Sequence, residues 1–150
     1  MPHQITQKWL RYSGDAFEDL ADAYWVRQQV FVDEQGFKEE FDETDKIAHH
    51  VVLCLDGRPA ATGRLFCTPD GWVIGRVAVQ KDSRGLGLGL KVMQALEERA
   101  RQLGAGEIRL MAQERARGFY ERAGYRDTGV HCMEEGCPHV WMRKELSASR

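Results

Sequence analysis

Short segments in which apolar residues alternate with polar ones, or follow one another as β-branched runs, recur along the chain and predict β-strands. Asp56-Gly57 predicts a hairpin between two of them, and Pro69-Asp70-Gly71 predicts the next turn. Glu134-Glu135-Gly136 separates the last two. The predicted strands are Ile5–Tyr12, Ile47–Leu55, Ala60–Cys67, Trp72–Gln80, Glu107–Ala112, Tyr125–Met133 and His139–Lys144.

Helical spacing of apolar residues interrupts this pattern at three places. One helix is predicted from about Ala16 to Val30, with Ser13 and Asp15 as candidate caps and Phe17, Leu20, Ala21 and Tyr24 among its apolar positions. The others are Leu90–Leu103 and a short Glu114–Ala123. The order of the elements, in which strands precede and follow one central strand–helix–strand unit, predicts an α/β (α+β) fold. We expect a mixed sheet with helices on both faces.

Length and charge limit the classes of protein that the chain can represent. At 150 residues it is long enough for one domain with a real core, which we place at residues 5–146, with short tails at 1–4 and 147–150. A net charge of −2 without a basic stripe argues against binding nucleic acid. No apolar run reaches the ~20 residues of a membrane span, and the first residues lack the apolar core of a signal peptide.

The cysteines point to a reducing environment rather than to a metal site. Cys54, Cys67, Cys132 and Cys137 form no C-x-x-C pair, so we expect reduced thiols and a cytoplasmic protein. A zinc site can be drawn from Cys132, Cys137, His131 and His139, but its spacing matches no standard finger, and we expect no metal. Nothing in the sequence supplies the geometry for Cys137 and His139 to act as a nucleophilic pair.

A glycine-rich turn between the Trp72–Gln80 strand and the Leu90–Leu103 helix is the strongest functional signal. Gly85, Gly87 and Gly89 stand at alternate positions, where they permit positive φ angles and a close approach of the backbone to a ligand. The first N–H groups of the helix have no helical partner, and the positive end of its dipole points outward. The turn is therefore a candidate anion site, suited to a pyrophosphate, and Arg84 can add a cation.

The spacing of this turn decides between phosphate-binding motifs. A P-loop is excluded, because Leu90 precedes Lys91 and Val92 follows it, so the second glycine and the hydroxyl are missing. A Rossmann turn, and with it a dinucleotide oxidoreductase, is disfavoured because Leu90 takes the place of the third glycine. Arg-x-x-Gly-x-Gly, written as Arg84, Gly87 and Gly89, resembles the coenzyme A pyrophosphate loop of the GNAT N-acetyltransferase superfamily.

A second segment extends the resemblance. Ala116, Phe119, Tyr120, Gly124 and Tyr125 match the GNAT segment that follows the fifth strand, and Gln113 takes the place of the usual Asn. In that family the tyrosine at the Tyr120 position lies beside the coenzyme A sulfur. Arg27-Gln-x-Val-Phe-Val-x-Glu-Gln35, His50 and Cys-Pro-His139-Val-Trp-Met142 are similar to the ElaA/YjcF-like bacterial branch.

The resemblance implies a fold, a co-substrate and a set of binding residues. The fold is that of the GNAT acyl-CoA N-acyltransferases, and the reaction moves an acetyl group from acetyl-CoA to a primary amine by direct attack in a ternary complex. The resemblance also allows a homodimer that forms through the late strands. The residues implied to bind acetyl-CoA or coenzyme A are Val77, Ala78, Val79, Arg84, Gly85, Leu86, Gly87, Leu88, Gly89, Gln113, Ala116, Phe119 and Tyr120.

The chemistry implied by the resemblance needs two proton transfers. Tyr120, with a reference pKa of ~10, can supply a proton to the leaving thiolate. A carboxylate or histidine acting through water must deprotonate the amine, and the candidates are Glu34, His50 and His139, with Glu34 preferred because its segment borders the expected acceptor pocket. A non-catalytic acyl-CoA-binding module or sensor is the alternative function, which Tyr120 disfavours.

An acidic segment from Asp33 to Asp45 remains open to two interpretations. Its carboxylates could steer a cationic amine toward the site. The expectation that we favour is a solvated surface loop, with Phe37 and Phe41 as the two points where it packs down.

Overall fold

A seven-stranded mixed sheet forms the centre of the protein, in a computed structural model that describes residues 2–38 and 41–147. The strand order is β1-β2-β3-β4-β5-β7-β6. β4 and β5 pair in parallel, and the other neighbours pair antiparallel. The strands are β1 (Ile5–Leu10), β2 (His49–Leu55), β3 (Arg58–Thr68), β4 (Gly71–Val79), β5 (Glu107–Gln113), β6 (Arg126–Glu134) and β7 (Cys137–Glu145).

The helices lie on both faces of this sheet, which confirms the predicted fold class. Two 3₁₀ turns, Lys81–Ser83 and Glu114–Ala116, precede the last two α-helices. The helices are α1 (Ala16–Asp19), α2 (Ala21–Arg27), a π-helix (Gln28–Glu34), α3 (Glu43–Ile47), α4 (Leu88–Gln102) and α5 (Arg117–Arg122).

The first predicted helix differs from the structure in continuity and in length. Asp15 caps it as expected, with its carboxylate accepting from the N–H groups of Phe17 and Glu18. The helix breaks at Leu20 (φ −116°), and the later half continues beyond Val30 as the π-helix. Phe17 precedes the break and is 82% exposed, so its predicted apolar position is wrong.

The acidic segment contains a helix that the sequence pattern did not predict. Asp42 and Asp45 form a capping box at the start of α3. The next strand therefore begins at His49 rather than at Ile47, which lies on α3 and is exposed. Met1 and residues 148–150 of the predicted tails, and Glu39 and Glu40 of this segment, lie outside the described residues.

Strand periodicity divides the core between the two faces. Val51 and Leu53 of β2 pack on the side of α4, and Val52 and Cys54 pack with Ala23 of α2 on the other side. On the α4 side, a Cβ on Gly63 would lie 2.8 Å from side-chain atoms of Val92 and Leu96. A glycine at this position of β3 therefore lets α4 lie directly on the sheet.

β4 and β5 separate after a short stretch of pairing. Their described parallel register runs only from Trp72↔Ile108 to Ile74↔Leu110. Opposite β3, the register of β4 shifts between Thr62 and Arg64, and Arg76 there has a φ of +50°. A bulge of this kind bends a strand and increases its local twist. The carboxyl-terminal halves of β4 and β5 consequently border a gap in the sheet.

Two carboxylates of the acidic segment join a buried ion network beside β3. Asp45 is completely buried, and its Oδ1 accepts from Nη1 of Arg27 at 2.9 Å and from Nη1 of Arg64 at 2.7 Å. Arg64 also donates to Asp42 at 2.8 and 3.2 Å. The expectation of a solvated loop is therefore wrong for Asp45, because α2 and β3 supply arginines that the local sequence does not reveal.

Because of this network, the free energy of unfolding depends on the protonation of Asp45. Burial by itself would raise the pKa of Asp45, but the hydrogen bonds and charges of Arg27 and Arg64 outweigh burial and hold it well below its usual range. A depressed carboxyl pKa stabilises the fold above the unfolded value of about 3.9. This stabilisation is lost as the pH falls below that value and through the folded-state pKa.

We expect Asp45→Asn to lower the free energy of unfolding by about 3–5 kcal/mol at neutral pH, because it removes the buried carboxylate charge that Arg27 and Arg64 share. The difference from the wild type should shrink below about pH 4, where Asp45 begins to protonate in the unfolded chain. Urea denaturation across this pH range measures both effects. Asp70→Asn, in an exposed turn, is the matched control and should change stability by less than about 0.5 kcal/mol. A loss below about 1 kcal/mol for Asp45→Asn would contradict the role of the network.

Candidate functional site

The glycine turn forms an exposed helix N-terminus at the end of β4. α4 begins at Leu88, two residues earlier than predicted, because Leu88 is buried while its neighbours in the turn are exposed. Gly85 and Gly87 have φ angles of +85° and +75°, which glycine adopts without strain. The first helical hydrogen bond runs from the N–H of Lys91 to the carbonyl of Gly87, at 3.2 Å. The amides before Lys91 therefore lack helical acceptors and form a positive pole at the surface.

The two motifs singled out in the sequence meet at Gly89. A Cβ on this residue would lie 3.1 Å from Cζ of Phe119 and 3.2 Å from its Cε1. The absence of a side chain thus lets α5 pack against the first turn of α4. Phe119 in turn contacts Tyr120 edge-on, with ring centroids 5.0 Å apart.

Arg84 is held by partners on both sides of the turn. Its guanidinium donates to the carbonyl of Val79 at 3.0 and 3.1 Å and to both carboxylate oxygens of Glu34 at 2.5 and 2.6 Å. The hydrogen bonds from Arg84 lower the pKa of Glu34 despite its partial burial. A carboxylate held in this way is a weaker base than the sequence interpretation required, and Glu34 is not among the residues that line the cleft described next.

A cleft of about 520 Å³ occupies the gap between β4 and β5. Tyr120 lines it from α5, and burial raises the pKa of this phenol to about 12. Val77, Gln113 and Ala116, three further predicted cofactor residues, line the same cleft. The remaining lining residues are Phe31, Gln35, Phe37, Lys38, Arg64, Phe66, Val73, Ile74, Gly75, Arg76, Leu110, Met111, Arg115, Glu134, Glu135, His139 and Trp141.

Two predicted cofactor residues of β4 are not among the residues that line the cleft. Ala78 and Val79 pair with Thr62 and Ala61 of β3. The side chain of Ala78 is buried against Val26 and Val30, so only its backbone could serve a ligand.

Gln113 connects the two sides of the cleft. Its Nε2 donates to Oε1 of Gln35, at the end of the π-helix, at 3.0 Å. Its Oε1 accepts from Nε of Arg115 at 2.7 Å. The amide at this position therefore fixes the end of β5 relative to the π-helix.

The three candidate bases lie in different environments. His50 is buried beneath the ion network, where its Nε2 lies 3.1 Å from the carbonyl of Asp45, and burial lowers its pKa. His139 lines the cleft and is 8% exposed. Its Nδ1 lies 2.8 Å from the carbonyl oxygen of Cys137. Because a carbonyl only accepts, Nδ1 donates in this contact, and in a neutral imidazole Nε2 is then the nitrogen with the lone pair. Of the three candidates, His139 alone lines the cleft.

Several residues of the cleft were not identified from the sequence as functional. They include Arg64 and Phe66 of β3, Arg76 at the bulge and Trp141 of β7. The signal for Arg64 was available, because a charged residue in a strand of otherwise buried character needs partners. The signal for Arg76 was not, since a bulge depends on pairing with β3.

Other classes of site find no support in the described part of the chain. Within residues 2–38 and 41–147, no group of three or more His, Cys, Asp or Glu side chains is arranged to hold a metal ion. Cys132 instead places its thiol 3.3 Å from the sulfur of Met111. None of the described helices has the length and apolar character that crossing a bilayer requires.

Comparisons with known proteins agree with this geometry. Residues 13–146 match a family model described as an acetyltransferase (GNAT) domain. The uncharacterized N-acetyltransferase YjcF of Bacillus subtilis is 37% identical over 132 residues, which cover 85% of this chain and 94% of that protein.

Solved structures share the whole architecture. A putative N-acetyltransferase from Lactobacillus plantarum is 35% identical, with a TM-score of 0.82 and coverage of 95% of this chain and 99% of that one. Escherichia coli ElaA is 27% identical, with a TM-score of 0.80 and coverage of 95% and 100%. These matches confirm the family and the branch that the sequence motifs predicted: the chain belongs to the GNAT family of acetyltransferases.

Proposed function

We propose that this protein transfers the acetyl group of acetyl-CoA to a primary amine by direct attack in a ternary complex. The observation that carries the proposal is the position of the exposed amides of the glycine turn at the end of β4, the strand that borders the cleft containing Tyr120. A diphosphate at the turn and a thioester in the cleft suit one elongated acyl carrier. The N-acetyltransferase names of the relatives support the same reaction class.

The described residues fit coenzyme A as a substrate. The amides of Gly85–Gly89 and the dipole of α4 are suited to its diphosphate. Beyond Ile74, β4 has no parallel partner in the described chain, so backbone groups of Val77–Val79 on that edge, apart from the Val79 carbonyl bound by Arg84, are available to the amides of a pantetheine arm. Arg84, Leu86 and Leu88 shape the turn, and Ala116, Phe119 and Gln113 shape the opposite wall.

The reaction forms a C–N bond and breaks a C–S bond. The amine nitrogen attacks the thioester carbonyl carbon, and a backbone N–H of β4, for which Val77 is the candidate, stabilises the oxygen as it gains charge. Such contacts contribute about 3–4 kcal/mol in other enzymes. Tyr120 donates a proton or a hydrogen bond to the departing thiolate.

We assign the base differently from the sequence interpretation. Glu34 is paired with Arg84 and holds the turn in place. His139 lines the cleft and donates from Nδ1 to a carbonyl, so we assign to its Nε2, in the neutral ring, the acceptance of the proton of the ammonium group through water.

A panel of primary amines incubated with acetyl-CoA tests the proposal. Release of free coenzyme A that depends on the amine supports acetyl transfer. Binding of acetyl-CoA without release across the panel would instead favour the non-catalytic acyl-CoA sensor. Titration with NADH is the negative control for the dinucleotide class.

We expect Gly87→Leu to raise the Kd for coenzyme A at least tenfold, because a side chain at this φ of +75° distorts the amide turn and occupies its approach. Isothermal titration calorimetry measures the change. Gly57→Leu is the matched control, since Gly57 has a φ of +83°, also has open space around its Cβ position and lies in the β2–β3 hairpin. An equal loss of affinity in both variants would remove the turn from coenzyme A binding.

We expect Tyr120→Phe to lower kcat about 10²-fold, at the lower end of the range for proton transfer, with little change in the KM for acetyl-CoA. Because the pKa of Tyr120 is raised to about 12, the phenol stays protonated from about pH 6 to pH 10. The ratio of wild-type to variant rates should therefore be constant over that range. Tyr12→Phe is the control for a phenol outside the cleft. Unchanged turnover in Tyr120→Phe would exclude the phenol from the reaction.

A further inference from the structure

We propose that the amine acceptor carries a carboxylate, which Arg64 binds through its Nε, and that an α-amino acid with an aromatic or aliphatic side chain is the substrate class. This inference rests on the proposed acetyl transfer and adds to it the chemistry of the acceptor.

Arg64 is a buried cation with one nitrogen atom, Nε, that has no partner among the described residues. It is 5% exposed, and its two terminal nitrogens are used by Asp42 and Asp45 at 2.7 to 3.2 Å. Its Nε is buried and has no hydrogen-bond partner among residues 2–38 and 41–147. A buried polar group without a partner is costly, and a donor on a charged group more so. A ligand atom that accepts from Nε would remove this cost.

Arg64 and its neighbour on β4 both line the cleft. Arg64 pairs with Gly75 across β3 and β4. A Cβ on Gly75 would lie 3.7 Å from Nε of Arg64 and 3.9 Å from Cε1 of Phe66. Because Gly75 has no side chain, a space of about the size of one methyl group, 3.7 Å from Nε, is left unfilled.

This open space adjoins the expected reaction centre. Gly75 immediately precedes the bulge at Arg76 and follows Ile74, where the pairing of β4 with β5 ends. A group held by Nε thus lies one or two residues along β4 from Val77, the candidate for stabilising the thioester oxygen. The short separation suits an amine and a carboxylate on the same carbon atom.

The guanidinium of Arg64 is also held in one orientation. Asp42 and Asp45 fix its far edge, and its Cζ lies 5.3 Å from the centre of the Phe66 ring. Pre-organised charged donors of this kind bind carboxylates with directional hydrogen bonds. The remaining walls carry Phe31, Phe37 and Trp141, which suit an apolar side chain on the same acceptor.

The carboxylates of the acidic segment take a different role from electrostatic steering. Asp42 and Asp45 are bound to arginines, so they do not offer free negative charge to a cationic amine. Their described contacts instead position the cation that recognises the acid group of the acceptor.

Matched acceptors isolate the contribution of the carboxylate. Phenylalanine is compared with phenethylamine, and leucine with isopentylamine, by the kcat/KM of coenzyme A release. We expect each amino acid to exceed its decarboxylated partner at least tenfold, as one hydrogen bond to a charged group allows. Equal or faster acetylation of both decarboxylated amines would overturn the inference.

A substitution at Gly75 tests the position without disturbing the ion network. In Gly75→Ala the new methyl group fits at ordinary contact distance but fills the space in front of Nε. We expect the preference for phenylalanine over phenethylamine to fall at least tenfold, through a higher KM for phenylalanine. Gly106→Ala, with nothing within 4 Å of its Cβ position, is the matched control and should keep the wild-type preference. An unchanged preference in Gly75→Ala would also overturn the inference.

Failure of acetyl transfer and failure of carboxylate recognition give different experimental results. If acetyl-CoA binds but no amine in the broad panel releases coenzyme A, the proposed acetyl transfer fails. If amines are acetylated without regard to a carboxylate, acetyl transfer stands and the role of Arg64 toward the acceptor is refuted.

Discussion

The separation of β4 from β5 is the constraint on which the candidate site depends. Parallel pairing ends at Ile74, and backbone groups beyond it must find other partners or a ligand. The bulge at Arg76 bends β4 away, while Gly63 lets α4 lie close to the sheet and Gly89 lets α5 pack against α4. The packing of α5 against α4 also holds the helix from which Tyr120 lines the cleft. The glycine turn lies at the end of β4, where this opening begins.

A second requirement is that the acceptor side of the cleft be rigid. The ion network of Arg27, Asp45 and Arg64 connects α2, α3 and β3, and a buried network of this kind is stable only when every member is present. It fixes Arg64, which lines the cleft and whose Nε has no partner among the described residues. The same contacts therefore stabilise the fold and hold in place the cation that we propose to recognise the acceptor.

The sequence predicted the parts of the structure that depend on neighbouring residues. The alternate glycines Gly85, Gly87 and Gly89 indicated the turn. Asp15 indicated a helix cap, and Asp56-Gly57 indicated a hairpin. Each of these signals depends only on the local backbone. Asp45 and Glu34 were interpreted less well, because their partners Arg64 and Arg84 are 19 and 50 positions away. The π-helix also escaped prediction, since its register depends on packing rather than on the apolar spacing of an α-helix.

That π-helix joins the two strands that the cleft separates. Its i→i+5 bonding is shown by the N–H of Gln35, which donates to the carbonyl of Val30 at 3.1 Å. Consecutive residues at its end then reach in two directions, with Glu34 bound to Arg84 beyond β4 and Gln35 bound to Gln113 of β5. The segment thus spans the gap on one face and leaves the opposite side to α4 and α5. Because Arg84 is already neutralised by Glu34, the charge that the turn offers an anion comes mainly from the amides and dipole of α4, which a change at Glu34 alone would leave in place.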